Sequence, residues 1–143
     1  MRLIKLLGYA GLIPFVVLPL LYATPMWLSQ ATILALYQLY SALILGFMAG
    51  VFWPVLHSNT ASQAKTERLA LAAVAFPVLS FVALFSAPEY FLPAQACLFV
   101  LLRLTEYRLG LNRQYAGPYR SLRNQLTLVV LASHVLLYFL ASV

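Results

Sequence analysis

Five long apolar runs, separated by short polar or turn-rich segments, dominate the chain. They cover approximately residues 3–22, 31–56, 69–85, 91–107 and 126–142. About 20 apolar residues in a helix span the roughly 30 Å hydrocarbon core of a bilayer. The pattern therefore predicts an all-α fold, an integral membrane bundle of five transmembrane helices that forms a single domain over residues 1–143.

Basic residues occur only in segments that a five-helix topology puts on one side of the membrane. The nine lysines and arginines are Arg2, Lys5, Lys65, Arg68, Arg103, Arg108, Arg113, Arg120 and Arg123. Short loops that are rich in Lys and Arg are retained on the cytoplasmic side during insertion. We therefore predict a cytoplasmic N-terminus and a C-terminus on the far side.

The fourth apolar run is the weakest of the five. It is short, and it holds Pro93 and Gln95 near its start and Arg103 near its end. If this run were only re-entrant, the arginine-rich segment after it would change sides, and the charge asymmetry would disappear. The asymmetry therefore favours a full span.

Composition agrees with a membrane protein. The chain is 64% hydrophobic and 8% charged, with a mean hydropathy of +0.91, which leaves too few polar side chains to cover a water-soluble globule. Because the bases are dispersed between apolar runs, the net charge of +6 indicates no nucleic-acid partner. It favours anionic lipid headgroups. We expect headgroup contacts from Arg108, Arg113, Arg120 and Arg123.

Small residues mark the predicted helix contacts. Gly46 and Gly50 form a small-xxx-small pattern in the second run, and Gly8 and Gly11 offer a second small face in the first. Such patterns let two helix backbones approach closely. The predicted packing set also includes Pro14, as a kink, and Trp53. Packing within the chain is the main expectation, and a homodimer or another membrane protein is the alternative.

His134 lies near the middle of the fifth run, where an ionisable side chain is expensive to hold. Two interpretations are open. A structural imidazole would bond a hydroxyl of a neighbouring helix, and the candidates are Tyr37, Tyr40, Ser41 and Ser80. A functional one would serve a proton relay or contact a ligand such as a quinone.

Arg103, Glu106 and Tyr107 share one helical neighbourhood, because residues three and four apart lie on the same face. An ion pair between the first two would neutralise both charges. Long side chains near helix ends often pair simply as anchors. The alternative is a polar gate or a headgroup pocket at the cytoplasmic mouth of the bundle.

Motifs for common enzyme chemistry are missing from the sequence. It has no phosphate-binding glycine loop, no zinc-binding His-Glu-x-x-His helix, no nucleophile elbow and no haem attachment motif. His57 and His134 are far apart, and Cys97, the single cysteine, is expected to be a small core residue. We therefore predict no metal and no cofactor, and an enzyme is not favoured.

Four segments in order carry a family resemblance: residues 7–15, 40–53, 76–80 and 119–127. The chain resembles the domain of unknown function 3429 family, small membrane proteins similar to transmembrane protein 69. The resemblance implies a bacterial inner-membrane protein of no assigned activity, and the chain departs from the family pattern at Pro54 and Pro118. The residues that match it are Gly11, Pro14, Phe15, Gly50, Trp53, Tyr119, Leu122, Arg123 and Thr127.

Two functional hypotheses follow. The leading one is a non-enzymatic accessory or assembly factor that acts through helix packing and lipid contacts. The alternative is a small carrier or binding protein for an amphipathic ligand, a quinone or a lipid. It would use His134 together with Arg103, Glu106 and Tyr107.

Overall fold

The computed structural model describes residues 2–53 and 62–142, and these residues fold into helices joined by short turns. Two 3₁₀ turns, Gly50–Phe52 and Pro88–Tyr90, lie between helices. In chain order the helices are α1 (Arg2–Ala10), α2 (Ile13–Ala23), α3 (Gln30–Ala49), α4 (Gln63–Ser86), α5 (Phe91–Arg108), α6 (Leu111–Gln114) and α7 (Gly117–Ser142).

Four helical stretches in the described part of the chain are long and apolar enough to cross a membrane. They correspond to the first, second, third and fifth predicted spans and cover Arg2–Ala23, Gln30–Phe52, Gln63–Ser86 and Gly117–Ser142. The chain is therefore a multi-pass helical membrane protein. Helix α5 has 18 residues but carries Arg103, Glu106 and Arg108, and it is not among the four. The fifth span thus stays a prediction.

The first predicted span is broken into α1 and α2 at Gly11. Pro14 lies in the first turn of α2, where a backbone N–H would have no partner within the helix, so proline costs no hydrogen bond there. A Cβ on Gly11 would come within 3.3 Å of the Gly8 carbonyl oxygen, so the break favours glycine. The Tyr40 hydroxyl of α3 donates to the Gly11 carbonyl at 2.9 Å and satisfies a backbone group that the break releases.

The helices pack as a closed bundle. Helices α2, α3, α4 and α5 lie side by side in sequence order, and α7 packs against both α5 and α2. Because α3 also contacts α5, the latter is the most enclosed helix, with its buried side chains directed at α3, α4 and α7. Aromatic rings fill the middle, where Phe15 lies 5.5 Å from Tyr37 and 6.5 Å from Phe99 between ring centroids.

One end of the bundle collects all nine bases. Gly8 of α1 lies beside Leu122 near the start of α7. Glu106 near the end of α5 pairs with an arginine of α7, and the start of α4 shares a pocket with the end of α5. The segments that carry Lys and Arg therefore meet at this basic end, whichever side of a membrane it faces.

Helix α7 begins nine residues earlier than predicted, at Gly117 instead of 126. The reason is an apolar and polar stripe at helical spacing, in which Leu122, Arg123, Thr127 and Val130 are all buried. The stretch that holds the four arginines expected at the lipid headgroups, residues 108–123, is thus largely helix. Helix α4 also begins earlier than predicted, where the Ser62 side chain accepts from the backbone of its first turn. Residues 54–56 of the second predicted span lie outside the described residues.

Two packing expectations are wrong or only partly realised. Cys97, expected in the core, is exposed on the outer face of α5. A Cβ on Gly46 would lie 3.6 Å from the Pro77 Cβ of α4, so this glycine packs inside the chain. A Cβ on Gly50 would meet no atom of the described residues within 4 Å, so they provide no close helix approach there.

The two glycines should therefore respond differently to the same substitution. Gly46→Leu is expected to lower the free energy of unfolding by about 1–3 kcal/mol, because the added side chain collides with α4. Gly50→Leu is the matched control and should change it little. Unfolding in mixed detergent micelles measures both, and equal losses in the two variants would contradict the assigned contacts.

Candidate functional site

A group of charged and polar side chains, four of them buried, lies at the basic end of the bundle. We call it the arginine cluster. It brings together α5, α6 and α7 and consists of Arg103, Glu106, Tyr107, Asn112, Arg123 and Asn124. The short connection through α6 folds back on α5, and this return places Asn112 beside Arg103.

Glu106 is the centre of this cluster. Its side chain is fully buried, and each carboxylate oxygen faces a different arginine. Oε2 pairs with Nη1 of Arg103 on the preceding turn of α5, and Oε1 pairs with Nη2 of Arg123 on α7. A buried carboxylate is tolerated only when it is paired and hydrogen-bonded, and here two helices supply its partners.

Each guanidinium nitrogen of Arg103 has a hydrogen-bond partner. Its Nε and Nη2 donate to Oδ1 of Asn124 at 2.9 and 2.6 Å, and Nη2 also donates to Oδ1 of Asn112 at 2.6 Å. The guanidinium carbon lies 4.5 Å from the centre of the Tyr107 ring. This cation–π contact and the amide oxygens fix the orientation of Arg103.

Arg123 is incompletely satisfied. The residue is 4% exposed, and its Nε–H has no hydrogen-bond partner among the described residues. The cluster also holds two arginines against one carboxylate. The only other acidic residues of the chain, Glu67 and Glu89, are exposed and lie outside the cluster. One positive charge therefore remains without an acidic side chain to balance it.

An apolar groove leads to Arg123. It has a volume of about 330 Å³ and lies between the basic-end halves of α1, α3 and α7. Two polar side chains, Tyr119 and Arg123, stand on its wall, which is otherwise lined by Ile4, Leu7, Gly8, Gly11, Leu12, Phe15, Ile44, Phe47, Met48, Leu122, Leu126 and Val130. A groove of this kind combines apolar walls with a few placed polar groups, as small-molecule sites do.

A second polar group, the histidine cluster, is made of Tyr37, Ser41, Ser133 and His134. His134 Nδ1 lies 2.8 Å from the Val130 carbonyl oxygen, which can only accept, so Nδ1 carries a hydrogen. Nε2 then accepts from Ser41 Oγ at 2.8 Å. Both ring nitrogens are thus satisfied within the bundle.

The remaining hydrogen bonds of the histidine cluster are also made within the bundle. Tyr37 Oη lies 3.0 Å from His134 Nδ1 and 2.8 Å from Ser133 Oγ, while Ser133 donates to the Phe15 carbonyl. His134 is 1% exposed and packs among the rings of Phe15, Tyr37 and Phe99. The cluster joins α2, α3 and α7, and His134 itself does not line the groove.

The family model described as Protein of unknown function (DUF3429) matches residues 1–139. The chain belongs to this family. The resemblance on residues 7–15, 40–53, 76–80 and 119–127 is confirmed at the level of the family. No similar protein was found among curated proteins, and none among solved structures. Membership of the DUF3429 family therefore names no activity.

The groove contains several residues on which the DUF3429 resemblance rests. They are Gly11, Phe15, Tyr119, Leu122 and Arg123. Of the other matching residues, Thr127 is buried one turn along α7 from Arg123 and donates to its carbonyl oxygen at 2.9 Å. Trp53 is half exposed beyond the end of α3. The matching residues of α2 and α7 thus meet at one place in the fold.

The structure distributes the predicted site residues over three places. Arg103, Glu106 and Tyr107 lie in the arginine cluster and His134 lies in the separate histidine cluster. Arg108, Arg113 and Arg120 are exposed at the basic end. Arg123, by contrast, is buried, because the early start of α7 turns this side chain inward onto Glu106, and its expected headgroup contact stays a prediction.

Two members of the arginine cluster, Asn112 and Asn124, were missed from the sequence. They lie among polar residues that looked like a surface segment, and only the return through α6 makes them partners of Arg103. The burial of Arg123 had a detectable signal. Arg123, Thr127, Val130 and His134 follow one another at helical spacing and therefore share one face of α7.

Tyr115, in the turn between α6 and α7, adds a second unsatisfied polar atom near this end. Its hydroxyl is buried and has no hydrogen-bond partner within the described ranges. Burial, and to a smaller extent the neighbouring Tyr119, raises the pKa of Tyr115 to about 12, while Arg103 acts in the opposite direction. The hydroxyl therefore keeps its proton at neutral pH and remains a hydrogen-bond donor.

Neutralising Glu106 should destabilise the protein strongly. In Glu106→Gln two buried guanidinium groups lose their only carboxylate, and we expect a loss of about 3–5 kcal/mol in the free energy of unfolding. The measurement is unfolding in mixed micelles. Adding Arg123→Leu to the same chain should recover part of the loss, because only one buried cation then remains. A double variant as unstable as the sum of both single variants would argue against the shared carboxylate.

His134→Ala should also lower stability, by about 2–4 kcal/mol, since it leaves a cavity among three rings and removes the partner of Ser41. Leu136→Ala on the exposed face of α7 is the control and should cost far less. Thermal melting of the purified proteins compares them. A wild-type melting curve for His134→Ala would rule out the assigned packing role.

Proposed function

We propose that this chain is a non-enzymatic membrane protein that binds an anionic amphiphile in the groove, with its apolar chain along α1, α3 and α7 and its charged head at Arg123. One observation carries the proposal. A buried guanidinium with an unpaired N–H and an unbalanced charge lies on the wall of an apolar groove. A buried charge without a counterion is costly, so an anionic head would compensate a cost that is otherwise unpaid.

The chemistry of the head follows from the same charge balance. A carboxylate or a phosphate would accept a charge-assisted hydrogen bond from the guanidinium and supply the missing negative charge. A quinone offers only neutral carbonyl oxygens and would leave the excess charge in place. The proposal therefore prefers a lipid-like anion to a quinone.

The proposed ligand site differs from the one expected from the sequence. His134 has no free nitrogen, and Arg103 donates to three side-chain acceptors besides Glu106. The amphipathic-ligand hypothesis is kept, but Arg123 and Tyr119 replace His134, Arg103, Glu106 and Tyr107 as the residues that meet the ligand. The accessory role expected from the sequence then takes the form of holding or presenting this amphiphile.

The membrane setting is part of the proposal. We infer five spans, with α5 as the fourth, because its 18 residues extend about 27 Å at helical rise and it packs between α4 and α7. We infer that the basic end faces the cytoplasm, by the retention of Lys and Arg on that side. The groove would then open to the inner leaflet of a bacterial cytoplasmic membrane, where an amphiphile can enter sideways.

A matched pair of probes tests the groove. Oleate and methyl oleate share the same chain, and only oleate carries a charge. We expect wild-type protein to bind oleate roughly tenfold or more tightly than the ester, since hydrogen bonds to charged groups contribute about 1.5–3 kcal/mol. Native mass spectrometry of the protein in detergent micelles measures both affinities.

Variants on α7 and α1 test which residues cause the preference for oleate. Arg123→Gln leaves the Arg103–Glu106 pair intact and should abolish the preference for oleate, whereas Arg120→Gln on the exposed face should preserve it. Leu7→Trp, which narrows the groove from an exposed position on α1, should weaken both probes alike. Retention of the oleate preference in Arg123→Gln, or unchanged binding in Leu7→Trp, would overturn the proposal.

A further inference from the structure

A second cavity lies at the basic end, beside the arginine cluster, with which it shares only Tyr107. It has a volume of about 420 Å³ and is formed where the start of α4 meets the junction of α5 and α6. Its wall carries four cationic side chains, Lys65 and Arg68 from α4 and Arg108 and Arg113 from the α5–α6 junction. We call it the basic pocket.

The chain path explains how two of these arginines reach one pocket. Gly110, which also lines the pocket, has a φ of +76°, the left-handed conformation that residues with a Cβ rarely adopt. The chain therefore turns sharply between the end of α5 and the start of α6. Arg108 before the turn and Arg113 after it both come to line the same cavity.

The four cations have no acidic partner in the structure as described. Both ion pairs found among residues 2–53 and 62–142 belong to Glu106. The nearest other carboxylate in sequence, Glu67, does not line the pocket and accepts from Gln63 at 3.2 Å. Four like charges around one cavity repel one another and create a strong positive potential in a concave space. Such a cavity is suited to an anion that carries more than one charge.

We propose that the basic pocket binds a dianionic phosphate group, as a phosphomonoester or as phosphate itself. A phosphomonoester carries a charge of about −1.5 to −2 at neutral pH and presents three strong acceptor oxygens. Arginine forks suit these oxygens in number and geometry. A phosphodiester carries a single charge and would leave more of the four cations unbalanced. The group arrives either on a lipid headgroup or on a soluble compound.

This inference does not depend on the proposed function of the groove. The two cavities share no lining residue, and Arg123 does not reach the basic pocket. Helix α4 contributes to the basic pocket alone, so substitutions there leave the groove intact. Failure of oleate binding and failure of phosphate binding are therefore separate results.

The test uses the full chain in nanodiscs of phosphatidylcholine, to which phosphatidic acid or phosphatidylglycerol is added at equal total charge. Native mass spectrometry compares the retention of the two lipids, and titration of inorganic phosphate into discs of phosphatidylcholine alone tests a soluble source. Retention of phosphatidic acid over phosphatidylglycerol supports a lipid headgroup, and phosphate binding in the neutral discs supports a soluble compound.

Variants separate the pocket from general surface charge. The double variant Arg108→Gln with Arg113→Gln should weaken binding of the preferred anion about 25-fold, at roughly fivefold for each base lost. Lys65→Gln with Arg68→Gln should do the same from the α4 side. Arg120→Gln, an exposed arginine of α7 outside the pocket, should change binding less than about twofold.

The proposal is overturned if the double variants lose no more affinity than Arg120→Gln. It is also overturned if wild-type protein retains both lipids equally and binds no inorganic phosphate. Because Arg68, Arg108 and Arg113 are exposed, their variants are expected to fold, and an unchanged melting temperature verifies it.

Discussion

A single buried carboxylate, Glu106, is the constraint on which the basic end of this bundle depends. It receives one arginine from its own helix and one from α7, and Arg103 in turn holds amide oxygens of α6 and α7. In a bilayer, apolar contacts between helices are little more favourable in free energy than contacts with lipid chains. Polar contacts therefore do more to determine which helix faces meet. Once Glu106 is paired on both sides, the rotation of α7 about its axis is fixed, and so is the wall of the groove.

The two polar clusters differ in whether all their polar groups are paired. In the histidine cluster every hydrogen that is donated meets an acceptor, from His134 through Tyr37 and Ser133 to the Phe15 carbonyl. No charge is left over, and the cluster locks three helices together. The arginine cluster has one cation more than it has carboxylates, and the Nε–H of Arg123 has no hydrogen-bond partner in the part of the chain that the structure describes. Closure points to a structural role for His134, and incompleteness points to a binding role for Arg123.

Sequence patterns predicted the parts of the fold that depend on one helix at a time. The apolar runs indicated the membrane-length helices, and two of the four hydroxyls offered as partners of His134, Tyr37 and Ser41, are its partners. Tyr40 and Ser80 bond elsewhere, to the Gly11 carbonyl and to Gln95. Helical periodicity shows which hydroxyls share a helix face. Which of them contacts His134 depends on how the two helices pack, and the sequence pattern does not give that geometry.

Features that depend on contacts between two helices could not be predicted from the sequence pattern. Arg123 looked like a headgroup contact because its neighbours Arg120 and Asn124 are polar, and its burial requires Glu106, seventeen positions earlier on another helix. The same limit applies to Gly50, whose spacing from Gly46 is ideal for packing although only Gly46 faces α4. The left-handed turn at Gly110 shapes the basic pocket, but it does not change the periodicity of hydrophobic residues, so the pattern does not predict it.

The two proposed anion sites lie at the same end of the bundle but differ in how strongly salt screens their charges. The arginines that line the basic pocket are exposed, and ions screen exposed charges beyond about 8 Å at physiological ionic strength. Arg123 is buried and feels little of this screening, so its attraction for an anion is shorter in range but is not weakened by salt. Tyr107 stands between the two, lining the basic pocket and stacking on Arg103. Salt concentration is therefore the variable that separates the sites physically, because it weakens the exposed one while leaving the buried one almost unchanged.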